Sequence, residues 1–293
     1  MSSNSKNNTL LSLTNDAVMK LFFAAKENEA QLRQFLKATT HLDDDDLMTI
    51  DIKDPKLTKQ HVQEKDFIVD IRLTSTMGER INIEMQARNH DGFKERMVAY
   101  NARQYGSQLQ RGEHYTKLKS SISLIITSFP MFDDTDEYYE HILFRRKNTK
   151  VFTKAQQFCI LDLSKLPKEK FLKELMETRL LWGRLFTVKD EEELRMLMSQ
   201  SEEMREAGEK LLKLSADEEA REIAQAREYS QWAWEHTLHV TEERGREEGR
   251  ASGLQEGKIE MAISLLESGM SVEEVVKHSK LSLKDVENLV QKS

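Results

Sequence analysis

Phe67–Ala87 reads FIVDIRLTSTMGERINIEMQA, and the fold turns on whether this stretch is a β-hairpin. Phe67, Val69, Ile71 and Leu73 alternate with Ile68, Asp70 and Arg72; Ile81, Ile83 and Met85 alternate with Asn82, Glu84 and Gln86. Period-two alternation marks a half-buried strand, and Met77-Gly78 between the two runs suits a tight connection. Side chains alternate faces, so Glu84 and Gln86 point the same way, off the apolar face. Pairing as a hairpin brings Asp70 to that face as well. Two carboxylates and an amide then converge at the edge of a sheet. Such a set suits Mg²⁺, which takes hard oxygen ligands and is commonly held by one or two carboxylates plus substrate oxygens. On spacing alone, two ordinary solvated strand faces explain the same residues.

Upstream, Thr14, Asn15 and Asp16 offer N-caps for a helix to about Lys37, with Val18, Leu21, Phe22, Ala25, Leu32, Phe35 and Leu36 at helical spacing. Asp43–Asp46 reads as a solvated acidic loop, and Leu47–Ile52 as a first strand ended by Asp54-Pro55. Downstream, Phe93–Leu109 reads as a helix with Phe93, Met97 and Tyr100 on one stripe and Val98, Ala102, Tyr105 and Leu109 on another. Arg88, Lys94, Arg96, Arg103 and Arg111 make it basic, either to grip a phosphate backbone or as a solvated face. Ser121–Phe129 is a buried strand; His141–Arg146 and Gln156–Leu163 are two more.

These pieces resemble the PD-(D/E)XK nuclease superfamily, and within it the recombination-promoting nuclease (Rpn) and transposase branch. The matching residues are Asp16-Ala-Val-Met-Lys20-Leu-Phe-Phe23, Asp70, Gly78-Glu-Arg-Ile-Asn-Ile-Glu84-Met-Gln86, Glu95-Arg96, Tyr100, Tyr105 and Gly112-Glu-His-Tyr115, over about residues 10–165. Val69 stands in place of the superfamily's Pro, and Gln86 in place of its Lys. Gln orients only through hydrogen bonds and carries no charge; E-x-Q is the usual form in the branch. The resemblance implies an α/β fold, a restriction-endonuclease-like core with a mixed sheet flanked by helices, followed by an all-helical C-terminal region. It implies a DNA endonuclease dependent on Mg²⁺ or Mn²⁺, linked to recombination or transposition of mobile elements. Asp70 and Glu84 would bind the metal, Asp16 being a further candidate ligand, and Gln86 would orient the attacking water or the phosphate. Lys20, Arg96, Arg103 and Tyr100 are the expected DNA contacts. The alternative is a catalytically inactive nucleic-acid-binding or assembly module on the same fold.

Composition bounds the rest. Of 293 residues, 32% are charged and 38% hydrophobic, polar enough to imply long exposed helices. The net charge of −7 lies in the C-terminal third: residues 201–250 carry −6 and 251–293 carry −2, leaving 1–200 at +1. Near-neutrality of the first part is compatible with DNA as partner. The single cysteine, Cys159, reads as a buried small hydrophobe in a reducing compartment. Ser2–Asn8 reads as a polar leader without signal-peptide character, and no run of 18 apolar residues occurs, so the expectation is a cytoplasmic protein without a membrane span. Zinc spacing, G-x-G-x-x-G, Walker A and G-x-S-x-G are all absent from the sequence.

The expected organisation is a nuclease-like domain at 1–165, a helical extension at 166–244, a Gly-repeat segment at 245–257 and a three-helix tail at 258–293. Helices are expected at Lys168–Phe186, Glu191–Ser199 and from about Ser201, the last carrying Trp232 and Trp234. Gly245, Gly249, Gly253 and Gly257 recur every four residues, as a close-packing stripe for a second copy or as a flexible linker. In the tail, Ser271 and Ser282 are N-caps, and a minimal core of Ile263, Leu266, Val272, Val275, Val276, Leu281, Val286 and Leu289 is expected. Homo-oligomerisation through these C-terminal helices is the expected use; DNA reading by a helix-turn-helix is the alternative.

Overall fold

The computed structural model describes residues 10–52, 71–167 and 177–292. Asp70, the first half of the opening run, Asp54-Pro55, the Ser2–Asn8 leader and residues 168–176 lie outside them. Three strands, β1 (Asp51–Ile52), β2 (Ile71–Thr74) and β3 (Arg80–Gln86), form an antiparallel ladder in which Ile71 faces Ile83 and Thr74 faces Arg80. Gly78 turns the hairpin with φ +92°, a conformation that L side chains rarely adopt. Only Asp51–Ile52 of the expected Leu47–Ile52 strand is extended; Leu47 instead buries its side chain in the core.

β4 (Ser121–Thr127), β5 (Tyr139–Arg145) and β6 (Val151–Asp162) complete a mixed sheet of order β1-β2-β3-β4-β6-β5. The β3–β4 and β4–β6 pairs are parallel. A parallel pair needs a long crossover, and α3, defined below, supplies the one between β3 and β4. Every residue of β4 is buried, as expected of a central parallel strand covered on both faces.

Ile81, Ile83, Leu124, Ile126, Cys159 and Leu161 face the main core. Over them pack α1 (Asp16–Ala24), capped by the Asn15 side chain, and α2 (Glu29–Thr40). The expected single helix to Lys37 is broken, because Ala25 turns extended at ψ 127° and Asn28 donates from Nδ2 to the Phe22 carbonyl at 2.8 Å. On the other face lies α3 (Phe93–Gly106), whose Phe93 and Met97 pack on Ile125 and Ile160. Of its two expected stripes only the Phe93/Met97/Tyr100 one packs; Val98 and Ala102 are exposed.

The helices α4 (Thr178–Thr187), α5 (Glu191–Met198) and α6 (Glu202–Ala216) follow. The main core runs from Leu13 to Ala224 and takes in Trp182, Phe186, Leu194 and Leu211 from them. Phe35 stacks on Phe23 at 4.8 Å between ring centres and meets Trp182 at 5.4 Å. Side chains that the sequence sets apart as a helical extension thus close the core of the sheet. Burial pushes the Cys159 thiol up to about 11, so it sits in this core as a protonated, apolar group.

α7 (Glu218–Glu267) contains the boundary between two compact units, residues 1–230 and 231–293. The expected helix from Ser201 is divided at Asp217, whose ψ of 127° ends α6. In the second unit the end of α7 packs with α8 (Val272–Ser279) and α9 (Leu283–Lys292) around Ala262, Val275, Leu281 and Val286. The first of the three expected tail helices is therefore the end of α7, not a separate helix. A Ser271–Glu274 capping box starts α8. Gly245, Gly249, Gly253 and Gly257 are all helical, and apart from the helix's own backbone no described heavy atom lies within 4 Å of the place a Cβ would take. No described helix is long and apolar enough to cross a membrane.

His41, at the C-terminal end of α2, stacks on His141 of β5 with ring centres 4.2 Å apart. Burial lowers the pKa of both below 6.5; His141 and Arg179 act with it on His41, and Arg145, Lys154 and Arg179 on His141, against an opposing hydrogen bond to the Gln157 amide oxygen. The unfolded chain therefore binds more protons than the fold at mildly acidic pH. Their contribution to stability is complete above about 6.5 and is lost as pH falls below it toward the lowered folded values. The urea midpoint is expected to drop between pH 7.5 and 5.5, and to drop less in His41→Gln/His141→Gln. An equal drop in both proteins would place the acid sensitivity elsewhere.

Candidate active site

Asn82, Glu84 and Gln86 occupy alternate positions of β3, on the face that α3 covers. Strand alternation predicts this face in the open; it is roofed instead, and Glu84 is 3% exposed. The physical reason is the parallel β3–β4 pair, whose crossover helix must pack against one face of the sheet.

Arg96 enters from the N-terminal half of α3. Its Nη2 donates to Glu84 Oε1 at 3.2 Å and to Gln86 Oε1 at 3.3 Å. The ion pair joins a buried carboxylate to a guanidinium that is one-third exposed, with Arg96 also lying over the Phe93 ring at 5.3 Å. Gln86 Nε2 donates to the Arg88 carbonyl at 2.9 Å, which orients the amide with its oxygen toward Arg96. Carboxylate, amide and guanidinium thus converge in one partly covered place. The guanidinium carries the positive charge that Gln86 lacks.

Further along the same helix Asn101 is buried and donates to Ser123 Oγ at 2.9 Å and to the Ser121 carbonyl at 3.1 Å. It fixes the axial position of α3 over β4, and through it the place of Arg96. Sequence reasoning does not single it out. An Asn one residue beyond Tyr100, in the Phe93/Met97 stripe, is its only signal.

The other expected site residues fall differently. Asp16, at the start of α1, is buried and held in a two-toothed pair by Arg227 of α7, with Nε to Oδ1 at 2.7 Å and Nη2 to Oδ2 at 2.5 Å. Lys20, an expected DNA contact, is 3% exposed on α1. Tyr100 is half-buried against the Phe93/Met97 cluster, and Arg103 is exposed two turns beyond Arg96.

The oxygen donors of Glu84 and Gln86 match a hard cation such as Mg²⁺ or Mn²⁺. Among the described residues no group of three or more His, Cys, Asp or Glu side chains is placed to hold an ion. Asp70, outside the described residues, is next in the chain to Ile71, whose partner Ile83 adjoins Glu84.

A family model described as PD-(D/E)XK nuclease family transposase matches residues 13–241. No curated protein and no solved structure matches the chain.

Proposed function

The chain belongs to the PD-(D/E)XK nuclease family transposases, whose model spans more than three quarters of it, and from that membership we propose that it is a metal-dependent DNA endonuclease acting in the movement or recombination of DNA elements. The observation that carries this reading is the meeting of Glu84, Gln86 and Arg96 under α3. Asp70 and Glu84 would hold Mg²⁺ or Mn²⁺, which when bound contributes Lewis acidity toward a phosphoryl oxygen and acidifies water. Gln86, with its amide already oriented, positions the attacking water or the scissile phosphate by hydrogen bonding. Arg96 offsets negative charge as it grows on the phosphorane-like transition state, and the roof of α3 lowers the local dielectric in which it does so. Water oxygen joins phosphorus and gives up a proton to solvent, the bridging P–O bond breaks, and the departing oxygen takes up a proton from solvent, so that the protons balance. Arg103, exposed on the same helix, would contact a phosphate of the backbone, with half-buried Tyr100 as a further contact.

The test is nicking of supercoiled plasmid with Mg²⁺, Mn²⁺ or EDTA. Nicking only with a divalent ion supports the reading, and equal nicking in EDTA overturns it. Arg96→Met is expected to lower the nicking rate about 100-fold, the order of loss seen on removing one transition-state donor. Its affinity for DNA, measured in EDTA, should change less than about 5-fold, because one phosphate contact is a small part of a DNA interface. Wild-type nicking by this variant would remove Arg96 from the site.

One observation favours the non-catalytic alternative: a guanidinium already neutralises Glu84, as a cation would. Retained, salt-sensitive DNA binding with no nicking under any divalent ion would select it. For the second unit we propose self-association, supported by the open Gly245–Gly257 stripe and by exposed Leu254 and Met261 on α7. Gly249→Leu/Gly253→Leu should then lower the mass found by light scattering. A reducing, cytoplasmic setting is proposed on the single, core-buried thiol.

A further inference from the structure

β5 and β6 run on past the rest of the sheet. β4 begins to pair with β6 at Gln156, so the strand pairing of Val151–Ala155 is with β5 alone, through Phe144–Thr153 and Arg145–Val151, with the Ser120 hydroxyl bonded to the Lys154 carbonyl at its base. The result is a two-stranded ribbon closed by a turn at Arg146–Lys150, with Arg146 N–H bonded to the Lys150 carbonyl at 2.8 Å. Two irregularities of register, on either side of Phe144, twist it. Sequence pattern ends one strand at Arg146 and begins the next at Gln156, and assigns this ribbon nothing.

Its chemistry is distinctive. From His141 to Leu161 the chain has no Asp or Glu and five cations: Arg145, Arg146, Lys147, Lys150 and Lys154. This happens in a protein of net charge −7. None of the five is ion-paired with a described residue. Beside them Phe152 is 74% and Phe144 51% exposed. Lysines alone on an edge strand guard against edge-to-edge pairing. Exposed phenylalanines work against that purpose, so the ribbon is built to meet something both anionic and apolar.

We infer that the β5–β6 ribbon is a DNA-gripping arm that enters the major groove of duplex DNA, with Arg145, Arg146, Lys147 and Lys150 on phosphates and Phe152 against base edges. A two-stranded β-ribbon fits the major groove, whose base edges include the apolar thymine methyl. The cations supply the salt-sensitive part of the affinity and Phe152 a part that salt does not screen. In register, Glu84 is level with Ile160 of β6. Phe152 lies eight positions upstream, about 26 Å at the rise of a strand, so one duplex of about 8 base pairs reaches from the site to the arm. The inference rests on the DNA-nuclease reading but does not need the reaction to run.

The experiment uses the full chain and a fluorescein-labelled 20-base-pair duplex in EDTA, read by anisotropy over a salt series, with plasmid nicking measured in parallel. Arg146→Ser/Lys147→Ser/Lys150→Ser should weaken binding about 10- to 100-fold at 0.1 M salt and lower the slope of log K against log salt by about 2–3. Phe152→Ser should weaken binding several-fold with the slope unchanged. All four side chains are exposed, and thermal melting should confirm that both variants fold. If the triple variant binds with wild-type affinity and slope while the wild type nicks DNA, the arm is overturned and the nuclease stands. Should Phe152→Ser leave affinity unaltered, or should a single strand of the same length bind as well as the duplex, groove entry is overturned. A wild type that nicks but whose binding is insensitive to salt also overturns the arm; one that neither binds nor nicks overturns both readings.

Discussion

Glu84→Gln is expected to reduce metal-dependent nicking of supercoiled plasmid to the level of the EDTA control, a loss of about 1,000-fold or more, equivalent to the several kcal/mol that a metal-held transition state commands. The substitution keeps the shape of the buried side chain and leaves an amide oxygen to accept from Arg96 Nη2. It removes the charge that holds a cation. Asp70→Asn should do the same, for the same reason. Both variants should melt within a few degrees of the wild type: the amide put in place of the Glu84 carboxylate still fills the space under α3, and the Arg96 head, one-third exposed, remains hydrated. Isothermal titration with Mn²⁺ gives a readout besides activity, with heat of binding in the wild type and none in either variant. Nicking by Glu84→Gln at more than a tenth of the wild-type rate would sink the site assignment. Loss of nicking accompanied by unfolding would make Glu84 a structural residue, and Mn²⁺ titration of Asp70→Asn would then decide.

Trp182→Ala should cost about 3–5 kcal/mol, as removal of a fully buried aromatic generally does. Trp182 has no exposed surface and meets Phe35 at 5.4 Å and Phe23 at 6.1 Å. Its indole N–H has no hydrogen-bond partner among the described residues, so Trp182→Phe, which removes that group and keeps most of the packing, should cost far less, about 1 kcal/mol. The informative quantity is the shape of the urea transition. Because Trp182 of α4 shares one core with the sheet, the variant should unfold residues 1–230 in a single shifted transition. A separate early transition confined to helix, with the sheet and its nicking activity intact, would show that the helical region folds on its own.

Local pattern alone is enough for the hairpin, the buried central strand, the capped tail helices and the pairing of Glu84 with Gln86 on one face. Each rests on a period of 2 or 3.6, a turn residue or a cap, and these act over a few residues. The family match extends from residue 13 to 241, beyond the 10–165 that motifs carry. The helix break at Ala25 leaves no such mark, because the residue is neither Gly nor Pro, whereas Asp217 is a cap in its own right, its side chain accepting from Ala220 N–H at 2.8 Å. Arg96 is legible as a base on an amphipathic helix, but its hold on both Glu84 and Gln86 follows from where the β3–β4 crossover lies. The bond from Arg227 to Asp16, 211 residues apart, has no local trace at all. Composition and periodicity by themselves determined the strands and most of the helices, while the chemistry expected of the site came from the resemblance of its motifs. Only the tertiary structure decided that the site is roofed, which cation enters it, and that a basic ribbon projects from the sheet, because these depend on contacts between segments whose separation along the chain no local pattern records.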